Sequence, residues 1–346
     1  MKRSLIIISS IFGVIVISLL ILSYQINNFM NTPMNIDGDD ISFEIIKGSS
    51  FNSISNQLTQ ERFITNDFWL RVYVRFFNLE GRIQAGEYLI EPELTPKTLL
   101  LKMTSGRVRL YSFTIIEGWN AQETLNALHA NRLIKATINE KDWSSFLESL
   151  DSKILHPEGL FLPETYRFAR NSTDREILKQ AYELMKSTLE KEWKDRKFSS
   201  HIKNPYDALI LASIVERETA RADERSKIAG VFLNRLEKKM RLQTDPTVIY
   251  GIGLSFDGNL TKNDLRTDTP YNTYTRHGLP PTPISMPGKA SIRAVLDPEM
   301  SDFLYFVATG NGDGSHNFSK NKKEHDSAVS EYLLQIKKEK RIRKIN

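Results

Sequence analysis

The sequence predicts an α+β protein attached to a membrane by one N-terminal helix. Three observations lead to this prediction: an uncharged apolar run near the N-terminus, short alternating segments typical of strands, and longer segments with apolar residues at helical spacing. With 346 residues, of which 40% are hydrophobic and 26% charged, the chain is long enough for an anchor and two or three folded units.

The membrane anchor is predicted over residues 5–25, leaving residues 1–4 on the cytoplasmic side. Lys2 and Arg3 precede an uncharged run over 5–24, and about 20 apolar residues cross the hydrocarbon core of a bilayer. A cleaved signal peptide is the alternative, but its apolar core is usually about 7–15 residues and ends in a small-residue cleavage site. This run is longer and no such site follows it. Because the positive charges precede the span, we expect the rest of the chain to lie outside.

Residues 26–40 are polar and predict a linker, and residues 41–130 predict an α+β module. Strands are expected at 42–46, 86–90 and 111–117, and helices at 50–58, 67–77, 95–103 and 121–128. A strand, a glycine-containing turn and a short helix in succession resemble the layout of LysM-like sugar-binding modules. A plain α+β spacer domain remains the alternative.

Residues 131–200 are predicted to connect this module to a mixed α+β domain over 201–336. The connection contains a long charged helix at 174–196. It also contains an apolar segment at 157–166, whose two prolines and glycine exclude a helix. We expect this segment to be a buried loop that packs Phe161 and Tyr166 against the next domain.

The basic tail, residues 337–346, contains six basic residues and one acidic residue, which equals the whole net charge of +5. A solvated helix end is the simplest interpretation, and contact with an acidic polymer or a membrane surface is the alternative. The sequence contains no zinc-finger or RNP-type motif, so no nucleic-acid partner is predicted.

One helical segment over residues 207–219, DALILASIVERET, carries a candidate acid. At 100° per residue, Glu218 continues the apolar side formed by Leu211 and Ile214, whereas Glu216 falls away from it. A carboxyl group beside aliphatic side chains has a raised pKa and can donate a proton near neutral pH. The alternative is that Glu218 only closes the helix by pairing with Arg221 or Arg225.

Several blocks follow this helix in a fixed order. They are an apolar helix with Asn234 and Arg235 at 228–236, LQTDPTVIYG at 242–251, YNTY at 271–274, and GLPP with a further proline at 278–283. Together with SIVE-x-ET, this succession closely resembles the MltG (YceG-like) family of endolytic murein transglycosylases. Matching blocks cover about 160–170 and 207–325, and the anchor and the N-terminal module agree with the family layout.

The resemblance implies a lytic cleavage between MurNAc and GlcNAc in peptidoglycan, without a cofactor, in which Glu218 is the catalytic acid and base. It also implies a single-pass protein of the bacterial inner (plasma) membrane with its catalytic domain outside. We expect it to work alongside penicillin-binding synthases, ending nascent strands. A hydrolytic muramidase normally uses two carboxylates. Candidates for the second carboxylate are Glu216, Asp223, Glu224 and Asp245.

The blocks after Glu218 also supply candidate substrate-binding residues. These are Gln243, Thr244, Asp245, Tyr271, Asn272, Thr273 and Tyr274. Their aromatic faces suit sugar rings and their amides and hydroxyls suit N-acetyl groups, although an ordinary loop would use the same residues. Glu216, Asn234 and Arg235 are predicted to support the site, the Asn-Arg pair by orienting the core around Glu218.

No metal site is predicted, because the six histidines show no metal-binding spacing and cysteine is absent. The glycine-rich segment at 311–318 slightly resembles a calcium loop, but it lacks the spaced acidic ligands and predicts a hairpin turn instead. Two other functions remain open: a hydrolytic murein or cortex-lytic enzyme, and a membrane-tethered glycan-binding scaffold for cell-wall synthases.

Overall fold

The computed structural model describes residues 2–36, 38–196 and 202–345. It divides into two compact units. The first comprises Met1–Tyr111 and Arg167–Arg170, and the second comprises Ser112–Tyr166 and Asn171–Asn346. Both contain helices and strands, so the predicted α+β class is confirmed at this level.

The first unit begins with a long apolar helix and continues into a small α+β module. Its elements in chain order are α1 (Lys2–Asn31), β1 (Ile41–Ile45), α2 (Phe51–Gln60), α3 (Phe68–Phe76), β2 (Gly86–Ile90) and α4 (Pro96–Ser105). Strands β1 and β2 pair antiparallel, with Ile41 opposite Ile90 and Ile45 opposite Gly86. The helices lie where the apolar spacing predicts them, to within two residues at most ends.

Local capping explains where the helices of this module begin. Ser50 precedes α2 and its hydroxyl accepts a hydrogen bond from the Ser53 amide. Thr95 and Thr98 form a reciprocal capping box at the start of α4, which ends at Gly106 with a φ of 68°. Phe43, Tyr88 and the apolar faces of the helices form a core under the two strands.

Helix α1 is long and apolar enough to cross a membrane. Within Ile6–Asn31, an 18-residue window has a mean hydropathy of 2.8, and none of that window is buried in the protein. The helix continues to Asn31, beyond the start of the predicted linker at residue 26. Met30 and Met34 are buried in the core of the module. Much of the predicted linker is therefore helix or packed chain, because its apolar residues find partners in the module.

The second unit is mainly helical. Its elements are α5 (Ala121–Ala130), α6 (Trp143–Glu148), α7 (Asp174–Lys194), α8 (Pro205–Glu218), α9 (Arg225–Glu237), α10 (Asp245–Ile252), α11 (Lys289–Leu296), β5 (Tyr305–Ala308), β6 (His316–Ser319) and α12 (Lys322–Ile345). Strands β3 (Leu110–Thr114) and β4 (Thr165–Ala169) pair with each other, and the boundary between the units falls within both. Helix α5 and most of 131–200 thus fold with the second unit, whereas the sequence placed α5 in the module.

The core of the second unit is built around α8. Every residue from Ala208 to Val215 is buried, so the predicted apolar stripe is one side of a helix that is enclosed on all sides. Helix α8 contacts α7, α9 and α11. The Ser213 hydroxyl accepts from the Ile284 amide at 2.9 Å and donates to the Ile210 carbonyl at 2.7 Å. These contacts fix the axial position of α8, and with it the position of Glu218 at its end.

The segment 157–166 is a buried loop that leads into β4, as its prolines predict. Phe161 and Tyr166 are buried, and the Phe161 ring lies 5.7 Å from that of Trp143. Gly159 has a φ of +78°, and a Cβ there would lie 2.6 Å from the Pro283 ring. Glycine at this position is required both by the backbone conformation and by the close approach of Pro283.

Strands β5 and β6 form the predicted glycine-rich hairpin. They pair antiparallel with Tyr305 opposite Ser319 and Ala308 opposite His316. Gly310, Gly312 and Gly314 in the connecting turn all have positive φ. Among the residues that the structure describes, no group of three His, Asp or Glu side chains could hold a metal ion.

Candidate active site

Glu218 is the last residue of α8 and opens into a pocket of about 330 Å³. The pocket is lined by Glu218, Phe232, Arg235, Leu242, Gln243, Thr244, Asp245, Tyr274, Tyr305, Phe306, Lys322 and His325. One wall comes from α9 and the turn before α10, and the other comes from the hairpin strand β5 and α12. The pocket thus joins the motif-bearing segments to the C-terminal part of the chain.

The environment of Glu218 favours its protonated form. The pKa of its carboxyl is raised to about 7, mainly by burial and to a smaller extent by the negative charge of Asp245. The Thr244 hydroxyl donates a hydrogen bond to Glu218 Oε1, which acts against the rise, as do the more distant His316 and Arg235. A carboxyl with a pKa of about 7 can exchange a proton in either direction near neutral pH.

The ion pairs that would make Glu218 a purely structural residue are formed elsewhere. Arg221 pairs with Asp223 at 2.7 Å and lies 3.6 Å from Asp313. Arg225 lies 3.6 Å from Glu216 and 3.8 Å from Glu117. Within the described part of the chain, neither arginine forms a salt bridge with Glu218. This favours the interpretation of Glu218 as a proton donor.

A tight turn before α10 places Thr244 and Asp245 in the pocket. Gln243 has a φ of 51°, in the left-handed region, and its amide donates to the Thr273 carbonyl at 3.2 Å. The Thr244 amide donates to the Thr273 hydroxyl at 3.1 Å. The Thr247 hydroxyl forms a hydrogen bond of 2.8 Å with the same Thr273 hydroxyl. The chain therefore reverses just before Thr244, which turns its hydroxyl toward Glu218.

Of the predicted YNTY block, one side chain faces the pocket. The Tyr274 hydroxyl donates to Asp245 Oδ1 at 2.5 Å, and burial together with Asp245 raises the pKa of Tyr274. Asn272 and Thr273 are fully or almost fully buried. Asn272 donates to the Thr267 carbonyl at 2.7 Å and accepts from the Tyr274 amide at 2.8 Å. Direct contact of these two with a sugar is not supported, because their polar groups are used within the protein.

Tyr271 belongs to a second cluster, around the buried Glu158, and does not line the pocket. Its ring lies 4.8 Å from that of Tyr250, and its hydroxyl is 2.9 Å from that of Thr282. The Tyr250 hydroxyl donates to Glu158 Oε2 at 2.9 Å, and the Ala121 amide donates to Oε1 at 3.0 Å. Burial raises the pKa of Glu158 to about 7. Sequence reasoning missed Glu158 because its loop showed only an apolar pattern.

The predicted supporting pair on α9 holds the C-terminal hairpin in place. Asn234 Nδ2 donates to the Ser301 carbonyl at 2.7 Å. Arg235 is buried, donates to the carbonyls of Leu304 and Leu242 at 2.6 and 2.7 Å, and lies under the Tyr305 ring. Arg235 lines the pocket, and its hydrogen bonds to backbone carbonyls hold two segments of the pocket wall in place.

The remaining acidic candidates lie in separate interactions. Glu216 accepts from the Gly288 amide at 2.9 Å beside Arg225. Asp223 pairs with Arg221 at 2.7 Å. Glu224 accepts from the backbone and ring of His316, the latter at 2.7 Å. Asp245 is the one of these four that lines the pocket with Glu218.

The far wall of the pocket contains residues that the sequence did not single out. His325 stacks on Tyr305 with ring centres 5.0 Å apart, and its Nδ1 is buried without a hydrogen-bond partner in the described chain. Burial and the neighbouring Lys322 lower the pKa of His325, which favours the neutral ring. These residues lie about a hundred positions after Glu218, and nothing in their local sequence signals a shared site.

Comparison with known proteins finds bacterial proteins similar to this chain. The chain is 34% identical over 315 residues to the endolytic murein transglycosylase of Bacillus subtilis, covering 85% of both proteins. It is 26% identical to the Streptococcus pneumoniae protein of that name, covering 85% of this chain and 58% of that one. A crystal structure of a YceG-like protein from Listeria monocytogenes matches with a TM-score of 0.53 and 32% identity, over 84% of this chain and 99% of that one.

The match to a family extends over most of the chain. Residues 43–331 fit the family described as YceG-like, a range that includes the α+β module from within β1 onward, α8 and the whole pocket. On the strength of this range and of the identity to the Bacillus relative, the chain belongs to the YceG-like family.

Proposed function

We propose that this chain is an endolytic lytic transglycosylase that cleaves the MurNAc–GlcNAc bond within peptidoglycan strands. One observation carries the proposal: in a family whose relatives are named endolytic murein transglycosylases, the pocket holds a carboxyl with a pKa of about 7, that of Glu218. The carboxyl belongs to the residue that the order of sequence blocks indicates.

In the proposed reaction, Glu218 acts first as acid and then as base. Its proton passes to the glycosidic oxygen as the bond to MurNAc C1 breaks and positive charge develops at C1. The C6 hydroxyl of the same MurNAc attacks C1, and Glu218 recovers the proton from that hydroxyl. The products are a free GlcNAc hydroxyl and a 1,6-anhydro-MurNAc end, with no water consumed.

Intramolecular attack explains how one carboxylate suffices. Oriented intramolecular nucleophiles reach effective molarities on the order of 10⁵ M or more, so no second residue is needed to activate water. Of the four other acidic candidates, three are bound in structural interactions outside the pocket. We assign Asp245 an electrostatic role: its charge helps to keep Glu218 protonated, and Tyr274 holds it in place.

The substrate-binding roles divide in two. We propose that Gln243, Thr244, Asp245 and Tyr274 face the glycan, since all four line the pocket. Asn272, Thr273, Asn234 and Arg235 are positioning residues that hold these groups and the hairpin through hydrogen bonds to the backbone. Tyr271 and Glu216 support the fold outside the pocket.

We further propose that α1 anchors the protein in the bacterial inner (plasma) membrane, with Lys2 and Arg3 on the cytoplasmic side and both folded units outside. Its length and composition support a single pass. The strand, turn and helix succession of the first unit supports a LysM-like role in holding glycan. Work alongside penicillin-binding synthases, ending nascent strands, is the cellular role that the resemblance implies.

Mass analysis of products from purified sacculi tests the reaction. A lytic enzyme leaves anhydro ends that weigh one water less than the reducing ends left by a hydrolase. Anhydro ends from the wild type and their absence with Glu218→Gln are the expected results. Reducing ends would instead favour a hydrolytic muramidase with Asp245 as the second carboxylate. Binding of glycan without any cutting would favour a scaffold.

A further inference from the structure

Helix α3 presents an unusual exposed surface in the first unit. At about 100° per residue, Phe68, Val72 and Phe76 fall on one side of the helix, with Arg71 and Arg75 beside them. These five residues are called the α3 surface below. Phe68 is 52% exposed and Phe76 is 80% exposed. With Asn52, the α3 surface borders a shallow groove of about 530 Å³.

The opposite side of α3 is already occupied by the core of the unit. Leu70 and Val74 are buried there, so the core does not need the exposed phenylalanines. Arg75 is available from outside, since its side chain is 75% exposed and lies 3.7 Å from Glu80. Arg71 is less exposed and forms an ion pair with Asp67 at 2.7 Å. A surface that combines exposed aromatic rings with cations is typical of helices that lie in a membrane interface.

The position of α3 beside α1 indicates what covers this surface. Helix α3 contacts α1, and Ile26, Phe29 and Met30 of α1 pack against the same core as Leu70 and Val74. The apolar span of α1 ends near Tyr24, and six residues of helix from there to Met30 rise about 9 Å. The polar headgroup layer is roughly 5–8 Å thick on each side of a bilayer. Ile26, about 3 Å above Tyr24, therefore lies within the headgroup layer, and Met30 lies at about its outer edge.

We infer that the α3 surface lies in the external headgroup layer of the membrane that holds α1. Phe68 and Phe76 enter the boundary between headgroups and acyl chains, and Arg71 and Arg75 lie beside lipid phosphates. A glycan would be the other occupant of an aromatic groove. The groove favours lipid, because its polar lining is one amide and two arginines, of which Arg75 is largely exposed and Arg71 is paired with Asp67. An exposed arginine suits phosphate better than a neutral sugar.

The absence of cysteine makes a direct test possible. Single-cysteine variants of the full chain, Phe76→Cys, Val14→Cys and Leu254→Cys, carry a fluorophore and are reconstituted in phosphatidylcholine–phosphatidylglycerol nanodiscs. Val14 reports insertion of α1, and Leu254, 98% exposed in the second unit, is the matched apolar control. Quenching by nitroxide-labelled lipid is compared with quenching by iodide in water.

We expect lipid quenching at positions 14 and 76 to be severalfold stronger than at 254. If lipid quenches the label at position 14 while the label at position 76 is exposed to water, the inference is wrong and the membrane anchor is still supported. A lack of lipid quenching at both overturns the anchor and the α3 contact together. If the label at position 76 is protected from iodide only when glycan strands are added, the groove binds sugar and the inference is wrong. None of these results depends on the chemistry of Glu218, so failure of the proposed reaction is measured separately.

Lipid charge supplies a second arm. Since each surface cation contributes about 1 kcal/mol beside anionic lipid, Arg75→Glu should lower the interface-bound to exposed ratio of the position-76 label roughly fivefold or more in anionic nanodiscs. In pure phosphatidylcholine the change should be small. Lys47→Glu, an exposed reversal outside the α3 surface, is the control. An equal loss with both reversals overturns the specific contact.

Discussion

Glu218 and Glu158 both have a pKa of about 7, in each case mainly because the side chain is buried. Their surroundings differ. Glu218 ends a helix at the floor of a pocket, and its hydrogen-bond partner there is one hydroxyl. Glu158 is sealed in a loop, where an amide and a tyrosine hydroxyl each occupy one of its oxygens. A raised pKa is thus a property of burial, whereas a proton donor also needs access to substrate. The sealed glutamate joins α5 to α10, and the open one is placed for chemistry.

Replacing each glutamate by glutamine is the most direct test of whether the two residues have different roles. Glu218→Gln should lower kcat by about 10²–10⁴-fold, because the proton donor is lost. Glu158→Gln should leave kcat within about tenfold, since its oxygens have no route to the substrate. Strand-cutting assays at matched protein concentrations measure both. Equal losses would mean that the sealed cluster takes part in the reaction.

The raised pKa of Glu158 should also make protein stability depend on pH. The folded pKa of Glu158, about 7, lies above the ordinary glutamate value of 4.5, so the folded state binds more protons between these values. Stability from this group is therefore complete below about pH 4.5 and is lost as pH rises through about 7. Glu158→Gln should shrink the stability difference between about pH 5 and about pH 8 by at most about 3 kcal/mol. Urea or thermal unfolding of the full chain in detergent measures this, and an unchanged pH dependence would contradict it.

The hydroxyl beside Glu218 should set the pH range of the reaction. Thr244→Val removes the hydrogen bond that stabilises the carboxylate, so the pKa of Glu218 should rise further. The limb on which activity depends on protonated Glu218 should move to higher pH, and the protonated fraction of Glu218 near neutral pH should increase. Thr244→Ser keeps the hydroxyl and is the matched control. Superimposable pH profiles for Val and Ser would remove Thr244 from the mechanism.

The far wall of the pocket should give the smallest effect, in substrate binding. With Nδ1 of His325 sealed and the ring neutral, Nε2–H is the tautomer that can donate into the pocket. His325→Ala should raise KM about fivefold with kcat little changed, since one neutral hydrogen bond is worth about 1 kcal/mol. His325→Gln should recover part of the loss. His277→Ala, an exposed histidine outside the pocket, is the control, and an equal KM change there would refute the assignment.

The sequence was most informative where local rules decide the structure. The helices of the first unit follow apolar spacing and caps such as Ser50 and Thr95. The placement of Glu218 followed from helix periodicity, because an α-helix fixes which residues share a face. The glycines of the 310–314 turn predicted the hairpin on the same basis. Local geometry sufficed for the helices and the hairpin, whereas for Glu218 it left the ion-pair alternative open and the succession of sequence blocks was needed as well.

Where tertiary packing decides, the sequence was less informative. Asn27 and Asn28 were predicted to lie in a linker, yet Phe29 and Met30 pack against the module core, and the helix continues to Asn31. Asn272 and Thr273 resemble sugar ligands, but the fold uses them to hold the turn before α10. Lys322 and His325 line the pocket because the β5–β6 hairpin places the start of α12 beside it, and no local sequence pattern indicates this placement.

Because α1 continues as one helix into the core of the module, the first unit cannot move far from the point where α1 enters the membrane. A flexible tether would let it sample a hemisphere whose radius grows with the square root of tether length. With α1 inserted, the unit instead diffuses in two dimensions at nearly constant height, which raises its effective concentration toward any ligand held at the bilayer surface. Glycan newly made at that surface would meet the unit far more often than mature wall located further out.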